Sequence, residues 1–507
     1  MAEKSSMLAM AATLLALWGC SSVGPDFEPP DPMLPGTSFF GKAEPAVVNA
    51  APVPDHGEFP PPDPRWWTSF HDPILTSLAE RVAAANLDVR TATLRLAESR
   101  FARGVTASAQ FPTVNGDASY QRELFSQNGV LTLIKPFVPA TTPFIIPPIS
   151  IWQIGLDASW EIDIWGHVRR QVEAADAQAE ASEYQRRDTL VSTLAELARD
   201  YIELRGVQAQ ITISNANLAS SNEILRLTKT LAKEGLASEV DVENASKQLD
   251  AVRATLPTLQ DQETAQIDAL SLLLDEPPGS LRSELMRVKP VPPAPPRVPL
   301  GVPSELARRR PDIRQAEAQL HAATATIGVA VADFYPSVKL NGNIELNAAD
   351  LRELWKGSSL QYVLGPSVSL PIFEAGRLKS TLELREAQQQ EAAIAYHKTV
   401  LQAWHEVVNA LVAYRTEQER RARLQGEVNH ARRTLALSQV SYKNGLADFI
   451  DVLDAERTML QAELQYAQST TTVSANLVQL YKALGGGWEA AIPEEPQTSI
   501  AAFQPAR

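Results

Sequence analysis

The sequence predicts a mainly α-helical chain that carries a membrane β-barrel and is built from two copies of one unit. Three observations carry this expectation. Matching residues recur at offsets of 224 and 210 residues. Two long proline-free runs, 149–256 and 372–492, are rich in helix formers. Between the helical runs lie strand-length segments in which apolar and polar side chains alternate. The barrel is read from strands because no stretch of the chain is long and apolar enough to span a bilayer as a helix.

Composition excludes several classes at once. The chain has 507 residues, 46 Lys+Arg against 60 Asp+Glu, and a net charge of −14. Such an acidic chain lacks the clustered positive charge that holds a nucleic-acid backbone, so no nucleic-acid partner is expected. Hydrophobic residues make up 44% and charged residues 21%, which is enough to bury a core and excludes global disorder. A single cysteine rules out an intrachain disulfide and any Cys-x-x-Cys metal site.

The first element is an export signal. Met7–Trp18 is apolar but too short to cross a bilayer as a helix, and it suits a signal-peptide core. It ends in Leu17-Trp18-Gly19-Cys20, a small residue followed by the only cysteine. That pattern looks like a lipobox, which in bacterial lipoproteins leads to acylation of the cysteine and cleavage before it. The plainer reading is an ordinary signal with an incidental cysteine. Residues 25–64 then hold 12 prolines and 277–311 hold 10, out of 36 in the chain. Both stretches read as extended and irregular, because proline fixes φ and removes a donor.

The repeat organises the remainder. Leu87-Asp88-Val89-Arg90 matches Pro311-Asp312-Ile313-Arg314, and Phe111-Pro112-Thr113-Val114 matches Tyr335-Pro336-Ser337-Val338, both at an offset of 224. Gly166 matches Gly376 and Gly235-Leu236-Ala237 matches Gly445-Leu446-Ala447, at an offset of 210. The first copy therefore carries 14 extra residues between Val114 and Gly166.

In 151–164 the even positions are Trp152, Ile154, Leu156, Ala158, Trp160, Ile162 and Ile164, while the odd positions from 153 to 163 are polar or glycine. Residues 338–346 repeat this period of two, and 113–122 and 360–370 are weaker versions. One apolar and one polar face over about 9 to 11 residues suits a membrane barrel. A half-buried soluble sheet shows the same alternation. Four strands cannot close a barrel, and an open sheet would leave unpaired edges in lipid. Two, three or four chains must then share one barrel. The long helical runs 168–234 and 378–444 would each be about 100 Å. The shorter runs 88–111 and 239–275 stacked end to end would reach about 92 Å, as would 312–335 and 449–485, so a long helix can lie beside a stacked pair.

The ordered motifs resemble the TolC-like outer-membrane efflux proteins, in particular their lipoprotein, OprM-like branch. The residues that carry the resemblance are Cys20-Ser21-Ser22-Val23-Gly24-Pro25-Asp26-Phe27, Trp66-Trp67 with Phe70 and Asp72-Pro73, and Arg310-Pro311-Asp312-Ile313-Arg314-Gln315-Ala316-Glu317. Phe334-Tyr335-Pro336-Ser337, Leu370-Pro371-Ile372-Phe373-Glu374-Ala375-Gly376-Arg377 and Asp451-Val452-Leu453-Asp454-Ala455 complete the set. The resemblance implies a homotrimer with a 12-stranded outer-membrane barrel, four strands per chain, continued by a periplasmic α-helical barrel and an equatorial mixed region. It implies lipid on Cys20, a periplasmic membrane-fusion adaptor, an inner-membrane pump of the resistance-nodulation-division type, and outer-membrane lipid as partners. The implied order is signal peptide 1–19, lipidated N-terminal segment 20–72, first repeat 73–276 with a hairpin over 113–164, linker 277–309, second repeat 310–487 with a hairpin over 337–372, and tail 488–507. The outer loop 124–150 is proline-rich and apolar; it either packs on itself and its symmetry mates or forms a lid over the pore mouth.

The gate expectation joins residue chemistry to the resemblance. Gly235 and Gly445 suit left-handed helix ends, and Ser238 with Asp241, like Asp448 with Asp451, has capping-box spacing. Capping is one account of Asp241 and Asp451, and a role at the channel gate is the other. Asp454 lies beyond the first turn, and its repeat counterpart is Asn244. The resemblance places Asp451 and Asp454 at a periplasmic constriction, as a ring of six carboxylates in the trimer, and matches Tyr442 to a residue that ties the closed helices. The family's basic partner five residues after that tyrosine is Ala447 here.

No enzyme is expected. The sequence has no GxxxxGK[ST], GxGxxG, GxSxG or HExxH pattern, and no cofactor is implied. Gly485-Gly486-Gly487 reads as a helix stop, and His397 and His405 are two helical turns apart, too far to share a metal without other ligands. The expected function is a passive outer-membrane export duct for drugs or other small molecules. The competing readings are the channel of a type I protein secretion system and a periplasmic adaptor or structural protein without a pore.

Overall fold

Alternation of period two becomes one antiparallel sheet of four strands. The computed structural model describes residues 22–34, 63–126, 147–295, 298 and 303–491. Cys20, the signal run, the tail beyond 491 and most of the outer loop, 127–146, lie outside the described residues. In chain order the helices and strands are α1 (Pro73–Ala85), α2 (Leu87–Ala107), β1 (Thr113–Glu123), β2 (Ile149–Ile162), α3 (His167–Lys233), α4 (Glu239–Leu273), α5 (Arg282–Leu285) and α6 (Leu306–Arg309). There follow α7 (Pro311–Ala332), β3 (Ser337–Ala348), β4 (Leu360–Ser369), α8 (Arg377–Lys443), α9 (Phe449–Ala483) and α10 (Trp488–Ala491). The two long helices, α3 and α8, have 67 residues each, which reproduces the repeat.

The chain folds as two units, each assembled from separated stretches. The first holds the described parts of 1–29, with 98–180 and 318–394. Its sheet runs in the order β1-β2-β3-β4, so β1 and β4 are the edges. Beneath β2 an N-terminal strap is fastened to the helices. The Val23 N–H donates to the Trp165 carbonyl at 3.0 Å. Buried Arg170 donates to the Val23 carbonyl at 3.2 Å and pairs with Asp26 at 2.7 Å and Glu173 at 2.8 Å. Phe27 stacks on His321 with ring centroids 4.4 Å apart. Gly24 sits on Gly328 so closely that a Cβ would come within 2.5 Å of the Gly328 Cα, and its φ of +89° also favours glycine.

The second unit holds 30–97, 181–317 and the described part of 395–507. Asp72 starts α1 by accepting from the Ile74 N–H at 2.8 Å, ahead of Pro73 at the first helical position. Its other oxygen accepts from the Tyr201 hydroxyl at 2.7 Å. Trp66 stacks on Tyr481 at 5.3 Å, and with Trp67 and Phe70 it fills the core there.

Helix ends meet at two equivalent joints. Asn86 caps α2, accepting from the Asp88 N–H at 2.9 Å, and donates to the Leu273 carbonyl at the end of α4 at 2.9 Å. At the repeat-related positions, Arg310 donates to the Ala483 carbonyl at the end of α9 at 2.7 Å. Each joint fastens the end of one helix to the start of the next, as end-to-end stacking requires. The second joint is ionic: Arg310 also pairs with Asp312 at 2.6 Å and Glu406 at 2.8 Å. Burial alone would lower the Arg310 pKa; the two carboxylates more than offset it and leave it raised.

Candidate pore face and gate

Strand register converts alternation into two continuous faces. Across the sheet, Ala118 pairs with Ile154 and Ile154 with Leu346, while Gly116 pairs with Leu156, Leu156 with Ile344 and Ile344 with Tyr362. The apolar positions therefore align on one face over all four strands. They are open to the surroundings: Leu156 is 53% exposed and Tyr362 73%. Tyr120 and Trp152 lie together near one end of the band, with ring centroids 4.2 Å apart. Trp160 stands eight residues along β2, about 26 Å at the usual rise per strand residue. An outward apolar band about 25 Å tall between aromatic girdles is the form of a membrane barrel wall.

The opposite face is a polar mesh. Asn115 donates to Asp157 at 3.1 Å, Ser159 to Asn341 at 3.0 Å, and Asn341 to Ser367 at 2.9 Å. Gln153 donates to Glu345, and Lys339 pairs with Glu161 at 3.5 Å. Both sheet edges lack a partner strand within the chain, and β1 is exposed along its whole length. In lipid such edges must be paired.

The other candidate site is at the helical hairpin tips. After α3 the Leu236 N–H returns to the Leu231 carbonyl at 2.8 Å and the Gly235 N–H to Ala232 at 3.0 Å. After α8 the Leu446 N–H returns to Ser441 at 2.9 Å and the Gly445 N–H to Tyr442 at 2.9 Å. Both are Schellman stops with glycine at positive φ, +74° and +70°. The next helices start with capping contacts. The Ser238 N–H donates to Asp241 at 2.9 Å and the Asp448 N–H to Asp451 at 3.2 Å.

Asp241 and Asp451 thus cap their helices, while Asp451 also remains exposed. Asp454 is exposed one turn along α9, with a partner that sequence reading missed: Arg457, at 2.6 Å. The three-residue spacing of this pair was the available signal. Tyr442 packs against Phe449, with ring centroids 5.4 Å apart. Burial raises its phenol pKa, and the Asp241 charge adds to the rise, so these two residues are close. Tyr442 also borders the cluster of Ala245, Phe449 and Leu453.

Glu456, buried on α9, gave no motif, and the motif that contains Arg310 gave no sign of its joint with the Ala483 carbonyl. Among the described residues no group of His, Cys, Asp and Glu is arranged to hold a metal, and no helix is long and apolar enough to cross a membrane.

A family profile described as "Outer membrane efflux protein" matches residues 78–275 and 302–486. The chain is 30% identical over 481 residues to the solvent efflux pump outer membrane protein SrpC of Pseudomonas putida, covering 94% of this chain and 97% of the relative. It is 30% identical over 501 residues to nodulation protein T of Rhizobium leguminosarum bv. viciae, covering 98% of each. Among solved structures, the outer-membrane channel OprN superposes with a TM-score of 0.82 at 34% identity, covering 92% of this chain and 100% of that one.

Proposed function

Because the chain belongs to the outer membrane efflux protein family, we propose that three copies close their sheet edges into one barrel and form a passive export duct. It is an outer-membrane channel subunit of a tripartite efflux system, extends into the periplasm, and is not an enzyme. The observation that carries the duct is the register of the sheet. It sets an unbroken apolar band on one face and an unbroken polar mesh on the other. A periplasmic adaptor and an inner-membrane pump of the resistance-nodulation-division type complete the path, with solutes moving down the gradient the pump creates.

The reading also assigns the gate and the anchor. Asp451 and Asp454, with Tyr442 and Asp241 behind them, form the periplasmic constriction. Each chain brings the Asp451, Asp454 and Asp241 carboxylates and the Arg457 guanidinium to it, a formal charge of −2 per chain. Like charges gathered in a ring hold cations and repel anions. Replacing Asp451 and Asp454 by alanine leaves Asp241 and Arg457, a formal charge of zero per chain. In planar bilayers, Asp451→Ala with Asp454→Ala should lose cation selectivity and block by divalent cations, while the trimer remains intact. Wild-type selectivity and block in that variant would overturn this gate.

Cys20 carries the lipid. Support comes from its place just ahead of the strap, since Val23 is already fixed beside Trp165 at the base of β2. Acyl chains there can enter lipid next to the barrel wall. Cys20→Ser should abolish incorporation of labelled palmitate, yet leave assembled trimer in the membrane, because the barrel itself holds it there. Equal labelling of the serine variant would refute the assignment.

A further inference from the structure

Each chain has two hairpins, α3–α4 and α8–α9, and they meet along a seam between α3 and α9. Gly206 fits under Thr471 so tightly that a Cβ would lie 2.3 Å from the threonine hydroxyl. Gln210 donates to Gln468 at 3.0 Å. Nearer the tips, Ile224 and Leu225 pack against the cluster of Ala245, Phe449 and Leu453. Between these contacts α3 buries Ser214, Asn217 and Ser221. Facing them is a carboxyl group, Glu456, only 1% exposed.

Its surroundings supply too few donors for a carboxylate. Glu456 Oε1 accepts from the Ser221 hydroxyl at 3.2 Å, while Oε2 has no partner. One turn back on α3, the buried Asn217 spends its amide N–H on its own helix, at the Ile213 carbonyl, and its Oδ1 is also without a partner. Two unpartnered acceptors in one seam call for a donor that the side chains do not provide. The charges nearby are already paired: Asp454 with Arg457 on α9, and Arg432 of α8 with Glu463 of α9. From α3 only the Ser220 and Ser221 hydroxyls act on Glu456, and burial outweighs them and raises its pKa. The fold itself does not require an acid here, because the repeat-related residue is Ser246.

We propose that Glu456 is a proton-dependent positioning residue for the gate: neutral while the α3–α9 seam is closed, ionised when the seam parts. This rests on the assignment of Asp451 and Asp454 to the constriction, which lie on the same helix within the preceding five residues. A buried neutral acid holds the seam; a carboxylate must reach water, and α9 must shift to allow it. The sign follows from the raised value. The stabilisation is complete below the ordinary glutamate pKa of about 4.3 and is lost as pH rises through the higher folded-state value. Rising pH therefore loosens the seam and favours the open channel.

The test uses the full-length trimer and a pH series from about 4 to 9, the range over which buried glutamates titrate. Hydrogen exchange, corrected for its intrinsic pH dependence, should show protection of 213–228 and 452–466 in the wild type falling by up to about tenfold per pH unit between the ordinary glutamate pKa of about 4.3 and the raised closed-state value, and levelling off above it. Glu456→Gln keeps the shape and the neutral charge, so its protection should stay level. Its open-state conductance should likewise be independent of pH where the wild type's rises. Should Glu456→Gln not assemble, Glu456→Ser, the residue of the first repeat, should show the same level profile. Parallel exchange profiles in wild type and variant would overturn the proposal, and so would a pH-dependent seam with unchanged conductance. A failed gate assignment gives a different result: the Asp451→Ala, Asp454→Ala channel keeps wild-type block while its seam still responds to pH.

Discussion

Leu156→Arg should prevent the trimer from assembling in the outer membrane. Leu156 sits in the middle of β2, paired with Gly116 on one side and Ile344 on the other, on the apolar face. An arginine at the midplane of a barrel wall costs about 2–4 kcal/mol. Every trimer carries the change three times, so the penalty approaches the whole stability of an ordinary domain, about 5–15 kcal/mol. Asp157→Arg, one residue along, points to the polar mesh, where it loses the Asn115 contact but meets water. The measurement is the fraction of heat-resistant trimer recovered from purified outer membranes. Near-complete loss at Leu156 with most trimer retained at Asp157 is expected. Equal yields would make the sheet an ordinary soluble one.

Arg310→Ala is the second large effect. The guanidinium is buried among Asp312, Glu406 and the Ala483 carbonyl, and its removal leaves those acceptors facing one another. Breaking a buried pair from one side typically costs about 3–5 kcal/mol. At the matching joint Asn86→Ala removes a neutral cap and one bond, about 0.5–2 kcal/mol by comparison with other caps. Denaturation midpoints of the two variants should separate accordingly. A pH signature distinguishes them further. Asp188, beside this joint, has its pKa pushed up to about 6, first by burial and then by the Asp312 charge, with Arg310 opposing. A raised carboxyl pKa stabilises the fold at low pH, and that contribution is lost as pH passes about 6. Without Arg310 the Asp188 value climbs higher, so Arg310→Ala should go on losing stability above the pH at which the wild type levels off. A midpoint unchanged by Arg310→Ala would show that the joint is held elsewhere.

Much of the architecture was legible because its signals are periodic. Alternation from Trp152 to Ile164 marks a strand, and the structure places β2 at Ile149–Ile162. Two glycines at an offset of 210 mark both hairpin tips, since each must adopt positive φ. Proline inside a helix is the instructive exception. Pro257 lacks the N–H that would bond back one turn, yet α4 runs through it, held by packing on either side at Val252 and Ile267. The site was less legible. That Asp451 caps its helix could be read from spacing alone, and so could the Asp454–Arg457 pair. Glu456 could not: two residues from an exposed aspartate, nothing local distinguishes a buried acid from a solvated one. Only the partner helix α3 decides it, and contacts between distant segments leave no mark in one sequence. Arg310 is similar, because its acceptor at Ala483 is 173 residues away.

The open edges of the sheet have a genetic consequence. A chain that ends in unpaired strands on both sides cannot function alone, and it cannot exclude a defective sibling whose edges are intact. Consider a cell that makes wild-type chains and gate-dead chains in equal amounts. Random closure of three-membered rings leaves only about one channel in eight free of the defective chain. A lesion at the hairpin tips, far from the strand edges, should therefore be dominant, poisoning most channels from a single allele. A lesion that ruins an edge should be recessive, because its product never enters a ring.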